Sequence, residues 1–327
     1  MGVTVAKYLA GRLLIAVPTL IGAITLAFLL LRVLPGNVVD ILLAEGGGDR
    51  PSLSLSRELL VKELGLDRPM YLQYLHWVGD FLRGDLGNSL YTGKPVYKEI
   101  LNRLPLTLQL AVMAEAFSLV IGIPIGILSA VRQDTWLDRG LRFWSIFFLA
   151  VPTFWLGLLV VLVGALVFDW IPPLGYHLLW KDPGRNLAQF IWPALILASH
   201  ESARISRMTR SCMLEVLRED YIRTARSKGL KEQMVLRRHA LKNAMIPILT
   251  FTSVYLGTLL GGVVVLERIF SIPGLGSLFL DSIVFRDYTV IQALVFLLAV
   301  GFIVINLVVD ILYGWLDPRI SLKEPRH

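Results

Sequence analysis

The chain has 327 residues, 55% hydrophobic and only 17% charged, with a mean hydropathy of +0.64 and a formal net charge of +7. An ordinary soluble domain is excluded, because its apolar share is lower and its charged share higher. The single cysteine, Cys212, excludes an intrachain disulfide and any CxxC metal or redox site, and reads as a small buried apolar side chain.

Four stretches contain no Asp, Glu, Lys or Arg: Leu13–Leu31, Phe143–Phe168, Asn243–Leu266 and Tyr288–Val309. Each is long enough to cross about 30 Å of hydrocarbon as a helix rising about 1.5 Å per residue. Leu104–Val131 is a fifth span, interrupted only by Glu115, which is expected to hydrogen-bond toward Gln109 or a neighbouring helix. Asn186–Ser199 is short and runs into His200, Glu201 and Arg204; it spans only if protein or water shields its inner end. The first span is expected to stay attached, since Arg32-Val33-Leu34-Pro35 is not a small-residue cleavage site. The fold class is therefore all-α, a polytopic membrane protein of six spans.

Between the first two spans lies a long polar segment. After Gly46-Gly47-Gly48, "SLSRELLVKELGLDRP" predicts a short helix begun by Ser56. Asp67 then caps a second helix with Pro69 at its first position. Tyr71, Tyr74, Leu75, Val78, Phe81 and Leu82 follow at helical spacing until Gly84. Trp77 and the tyrosines suit a bilayer interface. Within the spans, Gly122, Pro124, Gly126, Pro152, Gly157, Pro193, Pro247 and further glycines suit close helix packing or a gate.

The charge is concentrated. Residues 201–242 hold eleven bases against five acids, nearly all of the chain's surplus. Placing both termini in the cytoplasm puts these bases, Arg132, Arg139, Arg142 and the C-terminal Arg319, Lys323 and Arg326 inside. The short outer loops then hold only Lys181, Arg185, Arg268 and Arg286, as the positive-inside rule requires. Four parts follow: 1–35, the N-terminus and first span; 36–103, extracytoplasmic; 104–313, the core spans with the loop 201–242; and 314–327, a cytoplasmic tail. Nucleic-acid binding is a poor reading of bases placed between membrane spans without a recognised binding motif.

The basic loop, "DYIRTARSKGLKEQMVLRRHALKNA", admits two readings: an orientation signal, or a surface gripped by another protein. Leu214, Leu217, Tyr221, Ile222 and Ala225 share a helical face, and Glu219 and Arg223 form an i,i+4 pair. The pattern breaks at Ser227-Lys228-Gly229, and a second helix carries Met234, Val235 and Leu241 to Asn243. An orientation signal needs neither the amphipathic face nor the break; a docking hairpin needs both.

Catalytic patterns are missing. "GNSLYTGKP" departs from a Walker A loop in spacing and in Pro95, and no GxSxG, HExxH or GxGxxG occurs. The histidines are scattered, so no metal site is expected. Glu115 alone is not a proton relay.

The loop resembles the EAA loop of ABC-importer permeases. Arg223-Thr224-Ala225 stands at the name-giving Glu-Ala-Ala positions, Gly229 at the glycine, and His239, Asn243 and Pro247 follow at matching spacing. "RVLPGN", "LGLDRPMYLQYLHWVGDFLRGDLGNSL", "RLPLTLQLA", "IGIPIGILSA", "FSIPGLG", "RDY" and "LDPRIS" resemble, in order from about Ala10 to Ser321, the dipeptide/oligopeptide/nickel permeases, and in particular the first of their two permease subunits.

The resemblance implies a type I ABC importer permease fold in a prokaryotic inner membrane. Its partners are a second permease, two ATPase subunits (or one two-domain ATPase), an extracytoplasmic binding protein and the lipid bilayer. It implies no chemistry and no cofactor in this chain, with ATP and magnesium on the ATPases. The ATPase-coupling residues it implies are Asp220, Tyr221, Arg223, Thr224, Ala225, Gly229, Leu230, His239 and Asn243. Trp77, Asn88, Pro273 and Gly274 either receive the binding protein or pack on the sister permease. Peptide, nickel chelate and haem remain as substrates, and a secondary transporter or channel is the rival architecture.

Overall fold

Proline decides where the longest apolar stretch breaks. In the computed structural model, which describes residues 14, 17–29, 31, 61–62, 67–176 and 179–316, Phe143–Phe168 is not one continuous helix. Trp136–Ala150 and Thr153–Phe168 are separate helices inclined at 94°. Val151 has φ −83° and ψ 124°, the extended geometry forced on a residue before proline, and Pro152 lacks the amide a continuous helix would use.

In chain order the helices are α1 (Val17–Leu29), α2 (Met70–Leu82), α3 (Val96–Val131), α4 (Trp136–Ala150), α5 (Thr153–Phe168), α6 (Pro183–Leu217), α7 (Asp220–Ser227), α8 (Leu241–Ile269), α9 (Leu275–Val284) and α10 (Tyr288–Leu316). Among the described residues there is no strand, only a bridge between Asn88 and Pro95. The all-helical class holds, but the six-span count holds only in part. Among the described residues, α3 and Tyr288–Ile305 of α10 can cross a membrane by length and composition, and α4 with α5 makes a third if the bent pair is one span. α5 alone is 16 residues, about 24 Å. α6 is continuous, but its second half is polar, and Glu201 there is buried, the shielding its weak span required.

Contacts divide the chain into two units. One is built on Leu106–Gly276 with the end of α10 from Val304; the other on the residues up to Pro105 with Ser277–Ile303. In the first, α6 packs against α4, α5 and α8, and α8 against α5. Two apolar clusters form its interior, one around Leu110, Phe190, Leu266 and Phe270, the other around Ile205, Met213, Ile222 and Ile248. Glycine permits the approach of α3 to α6. A Cβ at Gly122 would lie 2.8 Å from the Ser202 carbonyl oxygen, and one at Gly126 2.5 Å from that of Ser206. Gly157 similarly admits Leu266 of α8. α5 buries only Gly157 and Gly164 and is otherwise apolar all round, as lipid or another membrane subunit requires.

In the second unit, Phe28 stacks on Trp77 at 6.0 Å, and Trp77 lies 5.2 Å from Phe81. α2 begins at Met70 with Pro69 as its N-cap and no side-chain cap. The expected Asp67 cap is thus displaced, because Pro69 takes the boundary itself. Its end matches expectation. Gly84 has φ +81°, and the amides of Gly84 and Asp85 bond to the carbonyls of Phe81 and Asp80, a Schellman closure. The helix expected from Ser56 lies outside the described residues except for Val61 and Lys62, as do "RVLPGN" and nearly all of "LDPRIS".

Candidate functional site: a basic helical hairpin

α6 stops at Leu217, and Arg218 and Glu219 turn the chain into α7. Glu219 is extended (φ −67°, ψ 146°), so it leaves the helical face and cannot pair with Arg223. Arg223 instead meets Asp220 at 2.5 Å; both are exposed, and such a pair contributes little. Ile222 and Ala225 are buried in the second apolar cluster, whereas Tyr221, Thr224, Ser227 and Lys228 are exposed. The amphipathic reading of α7 holds for Ile222 and Ala225 but not for Tyr221, which the spacing places on the same face and which is exposed. Ala225 is small because it packs inward, and Thr224, whose hydroxyl donates to the Asp220 carbonyl, is the member of that pair facing out.

The glycine break takes the expected form. Gly229 has φ +74°; its amide donates to the Arg226 carbonyl at 2.9 Å, and that of Leu230 to Ala225 at 3.4 Å. This is again a Schellman closure, for which glycine carries no Cβ penalty. Arg226 and Glu232 bridge the turn at 2.7 Å. The hydrogen bond to Arg226 holds the Glu232 carboxyl below its usual range, and the same bond holds the Arg226 guanidinium above its own. Second-arm residues Leu230 and His239 are half-buried and Asn243 exposed. Asn243 donates to the Tyr221 hydroxyl at 2.8 Å and to the His239 carbonyl at 3.2 Å, tying the second arm to the first. The hairpin therefore has a packed base, a bonded waist and an open tip: a Cβ at Gly229 would meet nothing within 4 Å.

The second arm departs from expectation. Glu232–Met234 is a single helical turn, and Val235–Ala240 is a π-helix running straight into α8. Bonding of type i→i+5 puts Val235 and Ala240, both buried, on one face and leaves Arg237 and Arg238 exposed. Nothing in the hydrophobic spacing announces it.

The other residues singled out take their contacts from within their own units. Trp77 sits in the aromatic row of α2. Asn88 is exposed beside Ser89, whose hydroxyl donates to Asp287 at 2.5 Å, with the Leu90 amide at 3.2 Å. Asp287 also accepts the Val290 amide at the start of α10, so one carboxylate joins "GNSL" to "RDY". Pro273 is half-buried and Gly274 buried. Thr107 donates to Glu267 at 2.6 Å and accepts the Leu275 amide at 2.8 Å. A Cβ at Gly274 would overlap the Glu267 carboxylate; this glycine holds the loop's shape, and Pro273 is the more exposed of the two. Gln109 bonds to Asn186 at 2.6 Å, not to Glu115, whose two carboxylate oxygens are buried without a hydrogen-bond partner among the described residues. Cys212 is buried and free, as expected. No group of three His, Cys, Asp or Glu able to hold a metal occurs among the described residues.

Comparison with known proteins supplies the family. The model for "Binding-protein-dependent transport system inner membrane component" matches residues 122–322. The chain is 40% identical over 319 residues to the oligopeptide transport system permease protein AppB of Bacillus subtilis (strain 168), covering 97% of this chain and 99% of that one. It is 40% identical over 342 residues to the dipeptide transport system permease protein DppB of Escherichia coli (strain K12), with the same coverage. An inward-facing structure of the MetNI methionine ABC transporter shares the fold at TM-score 0.56 and 19% identity, over 68% of this chain and 98% of that one. The matched region contains α6, the hairpin and α8 entire, and the chain belongs to the family of binding-protein-dependent transport system inner membrane components.

Proposed function

We propose that this chain is one membrane subunit of an ATP-driven importer of peptides. It would line the translocation path with a second, related permease and dock two ATPase subunits, or one two-domain ATPase, through the hairpin. Substrate would arrive on an extracytoplasmic binding protein. Orientation is part of the same reading: hairpin and termini in the cytoplasm of a prokaryotic inner membrane, Gly36–Arg103 outside.

The observation that carries the proposal is the hairpin itself. Its base is buried in the chain's own core, yet Tyr221, Thr224, Ser227, Lys228 and Gly229 are exposed, and a Cβ at Gly229 would meet nothing within 4 Å. An orientation signal requires only charge, not a Schellman-closed tip. A secondary transporter has no use for it. Peptides are favoured over nickel chelates and haem because the relatives at 40% identity are named for oligopeptides and dipeptides. Binding alone moves nothing uphill. Closure of the ATPases on ATP would shift the hairpin and bias the helix bundle between outward- and inward-open states.

The test is uptake by vesicles containing the assembled complex. Labelled di- and tetrapeptides, offered with the binding protein, should enter only when ATP is present on the hairpin side. ATP-independent uptake would indicate a secondary carrier, and uptake of a nickel chelate or haem but no peptide would reassign the substrate.

A further inference from the structure

One buried carboxylate in the first unit joins four pieces of chain, and none of its bonds was foreseen from the loop in which it lies. Asp138, in the first turn of α4, is fully buried. The Arg210 guanidinium on α6 grips it with two bonds, Nε to Oδ1 at 3.0 Å and Nη2 to Oδ2 at 2.9 Å. Ser129, near the end of α3, donates its hydroxyl at 2.5 Å, and the Asp134 amide donates at 3.0 Å from the α3–α4 turn. Arg142, one turn further along α4, stands 3.7 Å away. Further along the same pair of helices, the Ser145 and Ser206 hydroxyls bond at 2.8 Å.

Stability alone is a poor reason for such a knot. Desolvating two ions is costly, and apolar pairs of similar volume often replace them without loss. A bidentate arginine contributes direction: it fixes one relative placement of the two helices. The placement matters because Arg210 lies two turns before the end of α6, and α6 leads into α7 and the hairpin tip. Whatever displaces the hairpin pulls on α6. Only elements rigidly joined to α6 can follow.

We propose that Asp138 and Arg210 are a positioning pair that transmits displacement of the hairpin into α3 and α4. The pair touches neither nucleotide nor substrate. It makes the ends of α3 and α4 and the lower half of α6 move as one body. The proposal rests on the docking role given to the hairpin, and the experiment separates the two.

The assembled complex is reconstituted with Asp138→Asn, with Arg210→Lys and with Ser129→Ala. Peptide imported, ATP hydrolysed and ATPase subunit retained are measured together. Asp138→Asn removes the charge but keeps the shape; Arg210→Lys keeps the charge but cannot form the fork. Both should retain the ATPase and its basal hydrolysis while spending at least about fivefold more ATP per peptide, the low end of coupling between distant sites. Ser129→Ala, losing one bond, should fall between them and the unmodified complex. An unchanged ATP-to-peptide ratio in both variants overturns the proposal. So does failure of both to accumulate, which makes the pair a folding element. If the unmodified complex retains no ATPase, the docking role fails first, and the inference falls with it.

Discussion

Replacing Gly229 by valine separates a docking tip from an orientation signal, because every charge stays in place. Gly229 sits at φ +74°, where an L-residue incurs about 1–2 kcal/mol of backbone strain and a β-branched one the upper part of that range. No packing term adds to it, since a Cβ would meet nothing within 4 Å. The strain is confined to the tip, while Ile222, Ala225, Val235 and Ala240 keep the base buried. Insertion and accumulation should therefore be normal. Strain of that size shifts the local equilibrium about 5- to 30-fold away from the closed turn, and the added methyls project where a partner must fit. Transport and substrate-stimulated ATP hydrolysis by the assembled complex should fall by at least that factor. Gly229→Asn tests the split, because asparagine tolerates this geometry; it should be the milder lesion if backbone shape matters and equally severe if bulk in the partner's groove does. Full transport by Gly229→Val would refute the docking argument, and failure to accumulate would make the tip a folding element.

Three further outcomes are expected. In a Cys212→Ala background (alanine suits that buried apolar site), cysteines at Asn88 and Lys231 should react with impermeant maleimide from opposite sides, and labelling of Lys231 from outside intact cells would reverse the topology. Crosslinks from Asn88 should reach the binding protein; crosslinks confined to the sister permease would make this surface a subunit contact. Gly126→Leu should destabilise the chain by about 1–3 kcal/mol or more, the usual cost of overpacking, because its Cβ would lie 2.5 Å from the Ser206 carbonyl oxygen; unaltered thermal stability would show that α3 and α6 separate without cost.

What was legible in the sequence was local. The break at Gly229, the inward face of Ile222 and Ala225 and the end of α2 at Gly84 each depend on residues within a few positions of one another. Spacing and glycine chemistry suffice there. Features made by distant partners were not legible. Asp138 lies among Arg132, Arg139 and Arg142 and reads as a minor charge in a basic loop, while Arg210 reads as an orientation signal; only folding joins positions 72 apart. Glu115 is expected to bond toward Gln109 or a neighbouring helix, but Asn186 takes that amide and neither Glu115 oxygen has a hydrogen-bond partner among the described residues. The bend at Pro152 was foreseeable in kind. Proline is tolerated within α6 and α8 at Pro193 and Pro247, and what distinguishes Pro152 is that Val151 takes the extended geometry and the helix restarts at Thr153. The π-turn at Val235–Ala240 left no periodic trace because it shifts the register by a single residue.

The central claim is that the exposed face of α7 is gripped by an ATPase. The most direct measurement places a photo-reactive amino acid at Thr224 or Lys228 in the complete complex and identifies what it captures. The ATPase subunit should be captured from both positions, with a yield that changes when ATP is bound. Capture of lipid, or of nothing, from both positions in a complex that still imports peptide would contradict the account.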